Sequence, residues 1–411
     1  MLNESFRYQD NALYCDSIAV AEIATQVGTP VYLYSLRRML ANLNRLKTAF
    51  HDIQPHIHYS AKANANLAIL RTLIHAGIGI DAVSGGEIFR ALKAGAKAEN
   101  IVFAGVGKSS AELRYALEQG VGWFNVENVR ECQLINEIAA ELGKSAQIAL
   151  RLNPEVTANT HPYIATGHGG AKFGLTAEVI SGLLAYQKDY PHLRFAGIHV
   201  HIGSQLHDTE GTVKAVEIAL ELIAPYSDIR TVNIGGGLPA GYQPEETLPE
   251  WQSFAEALAP LLQGYDVLLE PGRSIIADAG ILVSEILYVK KQAGETFYIV
   301  DASMTELIRP ALYGAHHEIV PLRQSTSDLH PVNIVGPVCE TADVLGKAVL
   351  LPEMQPGGLL AVLTSGAYGM VMASNYNARP RPPELMVSED GASWSIARPR
   401  ETWDDLVRLE S

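Results

Sequence analysis

Cysteine is scarce in this chain: Cys15, Cys132 and Cys339 are its 3 cysteines, far apart and without a Cys-x-x-Cys spacing. That excludes a disulfide framework and a thiolate zinc site, and each is expected as a reduced thiol. Long apolar runs are lacking too. Nothing approaches the roughly 18 to 20 residues that cross a bilayer, and the opening MLNESFRYQD has neither a basic region nor an apolar one as a secretory signal would. No membrane partner is expected, and the cytoplasm is the expected compartment. Basic charge is in deficit, 31 Lys and Arg against 45 Asp and Glu for a net −14, unlike a surface built to neutralise phosphates along a nucleic acid. Nucleic acid is therefore not an expected partner either. What is present is a chain of 411 residues, 47% hydrophobic and 18% charged, which suits a substantial folded core. At about 150 residues per domain the length suggests two domains, or one large barrel with an attachment.

From about residue 56 to 272 short apolar runs alternate with helical patterns. The runs HIHYSAK (56–62), IGIDAV (78–83), NIVFAG (100–105), GWFNVE (122–127), AQIALRLN (146–153), RFAGIHVHIG (194–203), TVNIGG (231–236) and YDVLLEPG (265–272) read as eight strands. Between them NLAILRTLIHAG (66–77), SSAELRYALEQG (109–120) and VKAVEIALELIAPY (213–226) carry helical periodicity, several starting after a serine and stopping at a glycine. Eight strand–helix units in this length predict an α/β fold, a (β/α)₈ TIM-type barrel, with an open sheet as the alternative. After about residue 280 the runs ILVSEILYVKK, TFYIVDA, HPVNIVG, GLLAVL and ELMVSED come without long helices between them and predict a mostly β C-terminal domain. VYLYSL (31–36) is expected to add a strand to it, with the helix SLRRMLANLNRLKTAF (35–50) leading into the barrel. The expected domains are thus 37–279, the barrel, and 1–36 with 280–411, the β domain. There is no internal repeat or flexible linker.

Active sites of such barrels lie at the carboxyl ends of the strands. Those ends carry Lys62, Asp81, Asn153, His199 and His201, then Gly235-Gly236-Gly237, and finally Glu270-Pro271-Gly272-Arg273. The loops after strands seven and eight are where this fold most often binds phosphate; glycines admit backbone N–H groups to phosphate oxygens, and an arginine fork adds matched charge. A lysine on the same rim becomes a nucleophile when desolvation or nearby charge lowers its pKa. Together these point to a Schiff base between Lys62 and pyridoxal 5′-phosphate. Glu270 would hold the pyridine nitrogen protonated, and Asp81 and Pro271 would be further cofactor contacts. The plainer readings are Lys62 paired with Asp81 and Glu270 paired with Arg273. His199 and His201 have the two-residue spacing of a metal-binding pair, yet no evident third ligand completes a shell, so no metal is expected. His201 is better placed to stack on a flat cofactor ring, and His199 is expected as a satisfied interior histidine. The segment THPYIATGHGGAKFGL (160–175) reads as a long ordered rim loop in which His161 and His168 are structural.

YSAKANAN (59–66), DAVSGGE (81–87), HVHIGSQ (199–205), NIGGG (233–237), EPGRS (270–274), IRPALY (308–313), GPVCETADVLGK (336–347), GAYG (366–369) and SNYNARPRP (374–382) together resemble the fold-type III pyridoxal-phosphate decarboxylases, in family order over nearly the whole chain. The resemblance implies Lys62 as the Schiff-base lysine, His201 stacking on the ring, and Ser204, Gly236, Gly237, Gly272 and Arg273 around the phosphate. It implies Glu270 at the pyridine nitrogen and Tyr368 in contact with the cofactor. It further implies that Cys339 is an acid near the reacting carbon, reaching the site from the other subunit of a head-to-tail homodimer with shared active sites. Arg273, Arg309, Tyr313, Glu340 and Tyr368 would contact a small amino-acid substrate. An arginine beside an aromatic suits a bidentate grip on a distal carboxylate, and Glu340 would take a distal ammonium. The function so implied is decarboxylation of meso-2,6-diaminopimelate to L-lysine and CO₂. The alternatives are a decarboxylase of ornithine, arginine or a carboxylated polyamine, an amino-acid racemase, or a silent regulatory homologue. Three stretches depart from the family's usual sequence: LPAGYQPEE (238–246), DASMTELIRP (301–310) and ETAD (340–343).

Overall fold

A computed structural model of the chain describes residues 1–156, 166–167, 170 and 172–410; the expectations for His161 and His168 lie outside them. The chain forms two compact units. One comprises Asn44–Pro239 and Thr247–Arg273, the other Met1–Leu43, Ala240–Glu246 and Ser274–Ser411.

The first unit is the expected barrel. Its eight strands are His56–Ser60, Gly79–Ala82, Ile101–Phe103, Trp123–Val126, Ala146–Leu152, Leu193–Val200, Thr231–Asn233 and Asp266–Leu269. They close in sequence order, every neighbouring pair parallel, with the last strand bonded back to the first through Leu268↔His56 and Leu269↔Ile57. Strands in such a barrel are covered on both faces, which is why runs such as Ile101–Phe103 and Ala146–Leu152 are predominantly apolar in the sequence. The helices between them begin where capping chemistry directs. Ser84 accepts from the Glu87 N–H, Asn66 from Ala68 and Asn128 from Glu131, while Ser109 and Glu112 form a reciprocal capping box. The helix from Ser109 stops at Gly120, whose φ of 80° is the left-handed conformation such a stop requires.

The second unit is mostly β. A nine-stranded sheet runs in the order Val344–Pro352, Leu329–Val335, Glu295–Val300, Gly280–Gln292, Val31–Ser35, Glu384–Val387 and Trp394–Arg398, with Leu359–Val362 and Ile319–Pro321 branching from it. The strand Val31–Ser35 is central and wholly buried, antiparallel to Gly280–Gln292 and parallel to Glu384–Val387. The first residues therefore complete this sheet, as expected. A small sheet of Phe6–Gln9, Ala12–Cys15 and Ile18–Ala19 precedes it. Phe6, Leu13, Val20, Ile23, Leu33, Val283 and Leu385 belong to one buried apolar cluster there, together with the Cys15 thiol. Cys132 is likewise buried, whereas Cys339 is exposed. Among the described residues no helix is long and apolar enough to cross a membrane.

Candidate active site

The carboxyl ends of the barrel strands bring together the polar side chains that the sequence places there. Gly236 lies between strands seven and eight, and a Cβ on it would stand 2.2 Å from the Glu270 carbonyl oxygen. Gly237 has a φ of +98°, and a Cβ there would meet the Gly203 carbonyl and Leu206, both at 2.8 Å. Only glycine lets the backbone take this path. Gly272 packs against Ser60 and Ala63 somewhat less closely, with 3.0 Å from an added Cβ to each side chain. Arg273 is buried beside this bend and its Nε donates to Ser204 Oγ at 3.2 Å. Glycine backbone, an arginine and a hydroxyl are the donor set of an anion cradle.

Glu270 ends strand eight and is buried. Its Oε1 accepts from Asn125 Nδ2 at 3.0 Å and from Asn233 Nδ2 at 2.6 Å, while its Oε2 stands 3.3 Å from His199 Nε2. Burial works against ionisation of this carboxyl, but His199 and the amides outweigh it and hold the carboxylate below its ordinary range. The plainer pairing of Glu270 with Arg273 does not occur; the arginine goes to Ser204. His199 is interior, as expected, yet it is not satisfied. Neither ring nitrogen has a hydrogen-bond partner among the described residues, and its approach to Oε2 is an electrostatic contact without hydrogen-bond alignment.

Asp81, on strand two, is the other buried carboxyl of this rim. It accepts from Ser60 Oγ through Oδ2, whereas Oδ1 has no hydrogen-bond partner among the described residues. Burial, and then repulsion from Glu270, push it up to about 8, against the pull of the Lys62 ammonium. Of the two carboxyls, the negative charge therefore resides on Glu270. Lys62 lies one turn past its strand, in the short 3₁₀ helix Ala61–Ala63, with an exposed side chain. The sequence places it at the strand end; the structure places it just past that end, on the rim. His201 lies just beyond strand six. Its Nδ1 accepts from the Gly236 N–H at 3.3 Å, which leaves the ring proton on Nε2. Burial and the nearby Lys62 and Arg151 cations hold this imidazole well below its ordinary pKa, hence neutral.

In the second unit, Arg309 opens the short helix Arg309–Tyr313 and is buried. Its Nη1 is 2.8 Å from His317 Nε2, and its guanidinium carbon lies 4.5 Å from the centroid of the Tyr242 ring. Tyr313, at the other end of that helix, is partly buried. Cys339 and Glu340 are exposed on the 336–343 turn, which is shaped by the buried Asp343 carboxylate accepting from the N–H groups of Met304 and Val338. The Cys339 N–H donates to Asn377 Oδ1 at 3.0 Å, and Glu340 Oε2 accepts from the Tyr376 hydroxyl at 3.0 Å. Tyr368 is partly buried and held at a φ of +55°, uncommon for a residue with a side chain.

Sequence reasoning alone passes over Ser60, Asn125, Asn233, Tyr242 and His317. A signal for two of them is present: Asn125 and Asn233 are polar amides within barrel strands, where both are buried, positions that are costly unless the amide has a partner. Lys62 on the rim, the ionised Glu270, the glycine cradle with Arg273, and the orphaned buried oxygens of Asp81 (Oδ1) and Asn125 (Oδ1) suit a flat pyridine bearing an aldehyde and a phosphate, which is pyridoxal phosphate. Among the described residues no group of three or more histidine, cysteine or acidic side chains could hold a metal ion.

Residues 36–277 match the family model described as pyridoxal-dependent decarboxylase, pyridoxal binding domain. The chain is similar to diaminopimelate decarboxylase of Aquifex aeolicus, 41% identical over 98% of this chain and 97% of that one, and to the enzyme of that name from Vibrio cholerae, 42% identical over 99% and 98%. It also superposes on the crystal structure of diaminopimelate decarboxylase from Helicobacter pylori complexed with L-lysine, with a TM-score of 0.90 and 40% identity over 95% of this chain and 99% of that one.

Proposed function

This chain belongs to the pyridoxal-dependent decarboxylases, and from that membership we propose that it converts meso-2,6-diaminopimelate to L-lysine and CO₂, the closing step of lysine biosynthesis. Full-length similarity to diaminopimelate decarboxylases supports the reaction. The observation that carries the substrate is Arg309, a buried guanidinium held over the Tyr242 ring and fitted for a carboxylate distal to the reacting carbon. An ornithine decarboxylase has no use for such a cation.

Pyridoxal phosphate, when bound, supplies a sink for the electron pair freed as CO₂ departs. Lys62 would hold its aldehyde carbon; Ser204, Gly236, Gly237, Pro271, Gly272 and Arg273 its phosphate end; Asp81 and Tyr368 would contact it further. The Glu270 carboxylate keeps a proton on the ring nitrogen, a task it can perform because its own proton affinity is held down by Asn125, Asn233 and His199. His201, neutral and with its tautomer set by Gly236, presents an uncharged aromatic face. Glu340 takes the distal ammonium, Arg273 and Tyr313 add contacts to the substrate, and the Cys339 thiol delivers a proton to the α-carbon. In this reading the protein is a homodimer in which Cys339 and Glu340 serve the site of the opposite subunit.

The test is CO₂ release from the holoenzyme offered meso-2,6-diaminopimelate, ornithine, arginine and a carboxylated polyamine. Release mainly from the diamino diacid is expected. Preference for ornithine or arginine would overturn the substrate assignment, and a purified protein that binds no pyridoxal phosphate would overturn the reaction.

A further inference from the structure

His317 lies eight residues beyond Arg309, and both side chains are buried. His317 Nδ1 is 3.0 Å from the Leu363 carbonyl oxygen and Nε2 is 2.8 Å from Arg309 Nη1. A carbonyl can only accept, so the ring proton is on Nδ1, and Nε2 turns its lone pair to the guanidinium. Burial and the adjacent Arg309 cation keep the imidazole neutral. The Tyr242 ring lies against the guanidinium and meets the His317 ring edge-on, at 5.3 Å and 83°. One cation is thus fixed by an aromatic face and by a lone pair.

The choice of acceptor matters chemically. An aspartate or glutamate at position 317 would orient Arg309 equally well but would add a negative charge opposed to any incoming carboxylate. A neutral imidazole of fixed tautomer aims the guanidinium and contributes no charge of its own. We propose that His317 is a positioning residue that fixes Arg309 as a cationic fork for the distal carboxylate of the substrate. It thereby sets the preference for a diamino diacid over amines of the same length without that group. The inference rests on the reading, given above, that Arg309 takes this carboxylate.

The experiment compares holoenzyme variants by their kinetics on meso-2,6-diaminopimelate and by inhibition with two probes: L-lysine, and 1,5-diaminopentane, the same chain without the carboxylate. His317→Phe is expected to raise KM and the L-lysine inhibition constant about ten- to a hundred-fold, the worth of a charge-assisted hydrogen bond. It should leave kcat within a few-fold and inhibition by 1,5-diaminopentane unchanged. His317→Gln, whose amide oxygen can accept from Arg309, should restore most of the loss. If His317→Phe does not fold, His317→Glu serves instead: it keeps an acceptor, adds a negative charge, and should weaken L-lysine alone. If either variant weakens both probes equally, or lowers kcat with no change in KM, the positioning role is overturned. Arg309→Ala separates the two claims. If it leaves the preference for L-lysine over 1,5-diaminopentane intact, the reading of Arg309 itself fails. If it erases that preference while His317→Phe does not alter it, only the role of His317 falls.

Discussion

Two buried carboxyls face one barrel end, and their surroundings push their proton affinities apart. Glu270 receives two amide donors on one oxygen and has an imidazole 3.3 Å from the other, whereas Asp81 receives a single hydroxyl. This asymmetry assigns the charge to one and the proton to the other, the arrangement by which acid and base roles are separated at a site. Replacing Asn233 by Leu removes the 2.6 Å donor and should raise the proton affinity of Glu270. The proton then shifts from the cofactor ring to the carboxyl, visible in the ¹⁵N resonance of labelled pyridoxal phosphate, and kcat falls about tenfold or more while KM changes less. An unshifted resonance would show that the amide does not set the ionisation of Glu270. Asp81 has a pH consequence of its own. Its folded-state pKa, about 8, lies above the ordinary carboxyl value, so the folded state binds this proton more tightly than the unfolded one. The stability associated with that proton is full at acid pH and is lost as pH rises through about 8. Asp81→Asn in cofactor-free protein should therefore melt higher than the parent at pH 9, with the gain shrinking toward pH 4; a constant gain across that range would refute the assignment.

At the level of elements, the bend after strand seven is the most exacting. Gly236→Ala would set a methyl group 2.2 Å from the Glu270 carbonyl oxygen, so the loop must move. Weakened binding of pyridoxal phosphate in equilibrium titration is the expected result, together with a lower melting temperature; unchanged affinity would show that the cradle does not need this backbone path. The eight barrel strands are legible in the sequence because short runs, most of them predominantly apolar, recur between turn residues and helical patterns. Lys62, Glu270 and Arg273 are legible because the fold puts chemistry at strand ends. The strand Val344–Pro352 is far less so: its exposed and buried positions follow no two-residue period, with Lys347 and Ala348 both exposed and Leu351 and Pro352 both buried, and Gly346 and Lys347 interrupt its apolar residues. The hairpin of Phe6–Gln9 and Ala12–Cys15 is signalled only by its turn, in which Asp10 and Asn11 both take positive φ, at 49° and 62°. Tyr242 leaves no local trace, since its role depends on a contact made far along the chain, with Arg309, and His317, though only eight residues from Arg309, sits outside any helical or strand period that would pair the two.

For the whole molecule, the proposed sharing of sites between two subunits gives a sharp expectation. Lys62→Ala and Cys339→Ala should each be nearly inactive alone. After subunit exchange, half of the dimers are mixed and each of those has one intact site of two, so about a quarter of the parental activity should return. No recovery would mean that each chain uses its own Cys339. The course of the chain has a practical corollary. Residues 240–246 belong with the β unit although barrel sequence precedes and follows them, and they bring Tyr242 to Arg309. Anyone exchanging C-terminal halves between relatives to transplant selectivity would leave that ring behind with the donor of the barrel. The heptapeptide has to travel with the half it serves, so the smallest transferable cassette for choosing a substrate is discontinuous.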